Sequence, residues 1–229
     1  MIVEASEGFR GSPKPFRLEE RKARFSKFWD KIIYIKVSDH IETDDPWVRE
    51  TFQRNQIMRG LKRCAPWDLI LISDVDEFIP GPLVNHIRAT IALQTPIAVI
   101  QHTMYRFFLN RIAADAVNWH GMAACSFLFL AKKSPQEIRN IARTAAAPVI
   151  NAGWHFSSLG GIETYKEKIE NYSHGYDSPQ VPYDPWRAFV NTQPLVPIDQ
   201  TFPRFVVENI PYLTELGLID TSSAQLSRF

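Results

Sequence analysis

Cysteine is nearly missing from this chain of 229 residues, which has only Cys64 and Cys125. Two thiols cannot build a disulfide scaffold, so they read as small buried hydrophobes of a reducing compartment. Excess charge is missing as well. The formal net charge is +1, which gives no electrostatic case for a nucleic acid or an acidic polymer as partner. No run of about 18 apolar residues occurs, so nothing reads as a membrane span. The opening MIVEASEGFRG lacks a basic stretch followed by an apolar one, so it does not read as a signal peptide. As written, the chain reads as cytoplasmic. Glycine is scarce, with 10 residues against 16 prolines, and aromatics make up 12%. That balance suggests long structured loops rather than a minimal bundle.

What is present is ordinary globular material, 45% hydrophobic and 22% charged, enough for a single domain over 1–229 with a substantial core. Short apolar runs rich in branched residues mark strands at 2–5, 31–37, 69–73, 97–102, 126–131 and 149–152. Between them lie helical patterns with start signals. Asp45 precedes Pro46, and Ser134 and Glu137 form a capping box around Pro135. Ile162, Tyr165, Ile169 and Tyr172 share a stripe, and a further helix is expected after Pro82. Alternating strands and helices predict an α/β domain around a central, mostly parallel sheet flanked by helices. Residues 173–203, with six prolines, read as an ordered loop packed over one face.

The stretch WDLILISDVDEF, 67–78, runs an apolar strand into Asp74, Asp76 and Glu77. Carboxylates that close repel, and burial makes the repulsion worse. Ligands of α/β sheets bind at the carboxyl ends of strands, and two carboxylates one residue apart can converge on a hard divalent cation that shares its shell with a diphosphate. The competing reading is a solvated acidic turn that caps the next helix. A phosphatase-type aspartate motif would need Thr two residues after the second Asp, where this chain has Phe78.

These residues resemble a family. SDVDEFIP, preceded by RETFQRNQIMRGL and DLILI, is similar to the core of glycosyltransferase family 17, which includes enzymes that add bisecting GlcNAc to N-linked glycans. IVEASEGFRGSPKPF, RFSKFWDKIIYIKV, NAGWHFSSLGG and FPRFVVENIPYL resemble further family segments in the same order, from about residue 2 to 215. The resemblance implies a GT-A-like, Rossmann-type fold, a UDP-sugar donor such as UDP-GlcNAc, Mn²⁺ or Mg²⁺, inversion at the anomeric carbon, and a glycan or glycolipid acceptor. It also implies that Asp76 binds the metal, with Asp74 contacting metal shell, ribose or sugar. Family members carry a further segment before VIVEA, so the chain reads as short at its N-terminus. The alternative is a truncated, non-catalytic domain that binds glycan or a protein partner. Eukaryotic relatives would be Golgi membrane proteins.

Around this core, His155 is a candidate third metal ligand, with a packed structural histidine as the other reading. Arg54, Trp154, Glu4 and Lys14 are candidates for the nucleotide sugar, the last two on the resemblance alone. An inverting transfer needs a base for the acceptor hydroxyl, and Glu77, Asp115 and Glu163 are the candidate acids. Glu77 reads equally as support for the metal site, and Glu163 as an acid favoured by a helix N-terminus. The segments 105–108 and 118–121 read as acceptor-cleft lining or as core.

Overall fold

The computed structural model describes residues 1–171 and 189–222, so residues 173–188 of the proline-rich segment lie outside the described residues. A small parallel sheet pairs β1 (Ile2–Ala5) with β2 (Tyr34–Val37). Between them run helix α1 (Arg17–Glu20) and a 3₁₀ segment, Lys22–Lys31. Helix α2 (Pro46–Asn55) starts as expected, with Asp45 accepting a hydrogen bond from the Trp47 amide at 2.8 Å.

Five further strands form one sheet: β3 (Leu69–Ile72), β4 (Glu77–Phe78), β5 (Ile97–Arg106), β6 (Asn118–Ser126) and β7 (Val149–Ser157). Their spatial order is β3-β6-β5-β7-β4. Only β5 and β7 pair parallel in it, and the other pairs are antiparallel. The expected mostly parallel sheet is therefore a mixed one. The reason lies in β6, which runs back between β3 and β5, so that β3, β5 and β7 point one way without all being neighbours.

This order imposes a curl. β3 and β4 occupy opposite edges, yet only residues 73–76 separate them in the chain. Five flat strands would place the edges about 19 Å apart. Five residue steps span at most about 17 Å when fully extended, and here they include a turn closed by the Glu77 amide on the Asp74 carbonyl at 3.2 Å. The sheet therefore has to wrap, and the acidic segment is the strap across its end.

Helices cover both faces. On one, α5 (Pro135–Arg143) packs over Ile70, Ile72, Ile97, Val99, Ala123 and Cys125. Its capping box is formed, the Glu137 amide donating to Ser134 Oγ at 3.2 Å. On the other, α3 (Leu83–Leu93) covers Ile100, Met122 and Ala124. Farther along that face, Tyr105 and Phe156 meet Phe202, Val206 and Leu213 of the C-terminal part, which carries α7 (Arg204–Glu208) and α8 (Ile210–Glu215) after α6 (Gly161–Asn171). Buried Arg111 clamps that part, donating to Asp220 Oδ2 at 2.5 Å and to the Gln193 carbonyl at 2.7 Å. No helix among the described residues is long and apolar enough to cross a membrane.

Two strand expectations shift. Residues 31–33 precede β2, and 126–131 are the last residue of β6 followed by the short helix α4 (Phe127–Leu130), with Ser126 Oγ accepting from the Phe129 amide. Strand β6 itself had no sequence signal, because NWHGMAACS is poor in the branched residues that favour strands.

Gly153 makes the junction of β4, β5 and β7 possible. Its φ is +90°, and a Cβ there would strike the Phe78 carbonyl and come within 2.9 Å of His102 Cδ2. Gly153→Ala is expected to cost about 3 kcal/mol, whereas Gly81→Ala, with open space around it, should stay within about 0.5 kcal/mol. Urea unfolding of the two variants measures the contrast.

Candidate active site

The acidic strap meets the interior of the curl at the carboxyl ends of β3, β5 and β7. Glu77 pairs in register with His155, so both side chains enter the same face, which the α5 helix covers. Glu77 is sealed from solvent, with a side-chain exposure of 0%. Its carboxylate accepts from Arg139 Nη1 at 3.0 and 3.1 Å and from Trp119 Nε1 at 2.6 Å, and from the Asp74 amide at 3.0 Å. Burial pushes its pKa up, with Asp74 adding to the rise, against Arg139, Trp119 and His155.

Arg139 is the cation of the knot. It also donates to Asp74 Oδ2 and to the Gly121 carbonyl. Burial works against its charge, yet Asp74 and Glu77 outweigh that and hold its pKa above the ordinary value. Gly121 leaves the room these groups need, since a Cβ there would collide with Glu77, Trp119 and Arg139. Asp74 has a second guanidinium, Arg54 Nη2 at 3.3 Å from Oδ1. Arg54 in turn bonds Glu50 at 2.9 Å and Gln136 of α5.

Asp76 stands apart from this lock. Its side chain is 28% exposed, with His155 Nε2 at 3.3 Å and Lys168 Nζ of α6 at 4.0 Å. Burial raises its pKa, but the hydrogen bond and charge of His155 and the charge of Lys168 prevail and lower it. His155 is buried and stacks on Trp119 with centroids 4.8 Å apart, and its Nδ1 has no hydrogen-bond partner. Lys168 also donates to Ser157 Oγ at 3.2 Å.

The structure thus brings together Asp74, Asp76, Glu77, Arg54 and His155. Trp154 does not join them. It neighbours His155 in β7 and so faces the other side, where it packs against the Tyr105 cluster and donates to the Thr201 carbonyl at 3.0 Å. Glu4 is occupied too, accepting from the Arg17 and Leu18 amides and from the Tyr34 hydroxyl, at 2.8, 3.2 and 2.7 Å. Lys14 lies beside it, its pKa lowered by burial and by Arg17 against the pull of Glu4. Asp115 accepts from Arg106 at 2.7 Å and stays 66% exposed. Arg106 is in register with Ser157, which puts this pair on the face of Asp76. Glu163 falls near the start of α6, and its side chain lies outside the described residues.

Arg139, Trp119 and Lys168 complete the site; the sequence offered Trp119 only within the segment 118–121, as cleft lining or core, and Arg139 and Lys168 were not singled out from it. Arg139 had a signal: Pro135, Ile138 and Ala142 form the buried stripe of α5, and Arg139 shares it. A charge on such a stripe needs a buried partner.

Arg139→Met leaves Glu77 buried without its cation and should cost about 4 kcal/mol, and adding Glu77→Gln should recover most of that. Urea midpoints of wild type, single and double variants test the coupling. A second outcome concerns His102, which is fully buried between Trp119 and Gly153 and makes no hydrogen bond of ordinary geometry from either nitrogen. Burial, with His155 and Arg139 adding, pushes its pKa down to about 4. As pH falls below about 6.5 the unfolded chain takes up this proton while the folded one does not, so stability drops by about 2 kcal/mol between pH 7 and 5. His102→Phe should flatten that dependence in pH-resolved urea titrations.

No curated protein and no solved structure matches the chain. The model of glycosyltransferase family 17 matches residues 1–182. That span covers most of the chain and holds every residue of the acidic strap, together with Arg54, Arg139, His155 and Lys168. The chain therefore belongs to glycosyltransferase family 17, a family name that implies transfer of a sugar from a donor to an acceptor.

Proposed function

We propose that the chain is a metal-dependent inverting transferase of GT-A type, moving a sugar, GlcNAc from UDP-GlcNAc as first choice, to a hydroxyl of a glycan or glycolipid. The observation that carries this reading is Asp76. It is a partly exposed carboxylate at the carboxyl ends of three co-directional strands, flanked by one imidazole and one ammonium.

Among the described residues no three His, Cys, Asp or Glu side chains gather as a cation cage. Mg²⁺ and Mn²⁺ seldom need one beside a diphosphate, since phosphate oxygens and water fill the shell around one or two protein ligands. Asp76 and His155 fit that arrangement by position, His155 Nε2 lying 3.3 Å from Asp76 Oδ1. Asp74 does not fit as it stands, with both oxygens taken by Arg54 and Arg139. In this reading it anchors the strap. When bound, the cation supplies neutralisation of the charge that grows on the departing diphosphate.

The remaining work falls to side chains. Lys168 can donate to a diphosphate oxygen from beside Asp76. Lys14 is the candidate cation on the side of the early loop. For the acceptor hydroxyl, Glu77 is unsuitable, since its carboxylate is sealed off and committed to Arg139 and Trp119. Asp115 has the exposure a base needs and is oriented by Arg106.

One observation favours the non-catalytic reading: each acid of the knot already has a protein cation nearby, so no metal is required to relieve repulsion. Calorimetric titration of UDP and UDP-GlcNAc, with Mn²⁺ and with EDTA, separates the two. Transfer chemistry predicts binding that needs Mn²⁺ and weakens at least about tenfold in Asp76→Asn. Absence of binding in folded wild-type protein would exclude the donor site and leave the glycan- or partner-binding domain.

A further inference from the structure

The 3₁₀ segment Lys22–Lys31 has no buried residue, although it contains two phenylalanines and a tryptophan. In a 3₁₀ helix residues three apart eclipse one another, so the segment sorts into three rows. The first row is Ala23, Ser26 and Trp29, continued by Ile32; Trp29 and Ile32 are half-buried, with Trp29 against Tyr34 at 6.2 Å between centroids and Lys22 Nζ over its ring at 4.8 Å. The second row is Lys22, Phe25, Phe28 and Lys31, with Phe25 37% and Phe28 59% exposed. The third is Arg21, Arg24, Lys27 and Asp30, all exposed. Residues 21–31 thus hold five cations and one anion, in a chain whose whole formal charge is only +1.

We propose that this segment is a docking surface for an anionic phospholipid bilayer. Its two outer rows are what such a surface selects. Aromatic rings enter the boundary between headgroups and acyl chains, and the cations beside them meet the lipid phosphates. Of residues 21–31 only Trp29 is half-buried and the rest are exposed, the aromatic pair included. It is nevertheless held in place. Glu4 accepts from the amides that open α1 just ahead of it, and Lys36 pairs with Glu19 at 2.9 Å. The lipid inference rests on this segment and not on the donor site, so either can fail alone.

Co-sedimentation of the full chain with vesicles tests it, using phosphatidylcholine alone and phosphatidylcholine with one-third phosphatidylserine. Binding is expected only to the anionic vesicles and should fall with added salt. Phe25→Ser with Phe28→Ser should weaken it by about a hundredfold and Lys22→Glu with Lys31→Glu by at least about tenfold. Phe205→Ser, at an exposed phenylalanine of α7, should leave it unchanged. All of these positions are exposed, and circular dichroism checks that each variant is folded. Vesicle binding that is absent, or that survives both double variants, overturns the proposal. So does a concentration-dependent dimer lost in the phenylalanine variant without vesicle binding, or capture of an oligonucleotide that depends on the lysines alone.

Discussion

The contact between Glu77 and Arg139 carries the architecture. A carboxylate with no solvent exposure and a guanidinium at 6% are both expensive to bury, and each is tolerable only because the other is present. Their meeting joins four pieces: β4 at one edge of the sheet, β6 near the other through Trp119 and Gly121, helix α5 above, and the strap through Asp74. The strand order and the short strap impose the curl, and the pair fixes the acidic residues within it. Gly121 is its hidden component, because the lock occupies the space where any larger residue would put a side chain.

Around that lock the acids divide their roles. Two of the three carboxylates are neutralised by arginines that themselves sit in packed surroundings, which makes them parts of the frame. Asp76 differs in its partners, an imidazole at 3.3 Å and an ammonium at 4.0 Å in place of a guanidinium. Asp76 sits next to Glu77 and two positions from Asp74, the two carboxylates that arginines hold in place. Charge balance inside the knot is thus compatible with chemistry at its rim.

Much of this was legible in the sequence, for identifiable reasons. Caps are local, so Asp45 and Ser134 could be read directly. The acids after an apolar run were visible because adjacent like charges ask for an explanation. Sheet order was not legible: nothing local in NWHGMAACS announces a strand, and without β6 the remaining strands look parallel. Trp154 and His155 could not both serve one site, since neighbours in a strand point to opposite faces. Only the pairing of β4 with β7 shows which of them faces inward. Arg139 was readable in principle as a charge on a buried stripe, but its partners lie 62 and 65 residues away in the chain.

The strap itself has a consequence for the order of assembly. Residues 73–76 make a local turn, closed between Asp74 and Glu77, but their place in the fold is set from far along the chain. The Asp76 carbonyl is fixed by the Phe156 amide at 2.9 Å, and Glu77 by a ladder to His155 and a side chain from α5. During synthesis the acidic segment therefore emerges long before the elements that shape it, and it waits, unpaired, until β7 arrives. Contacts of such long sequence separation are slow to form. The acidic strap thus takes its final shape only together with the last strand of the sheet.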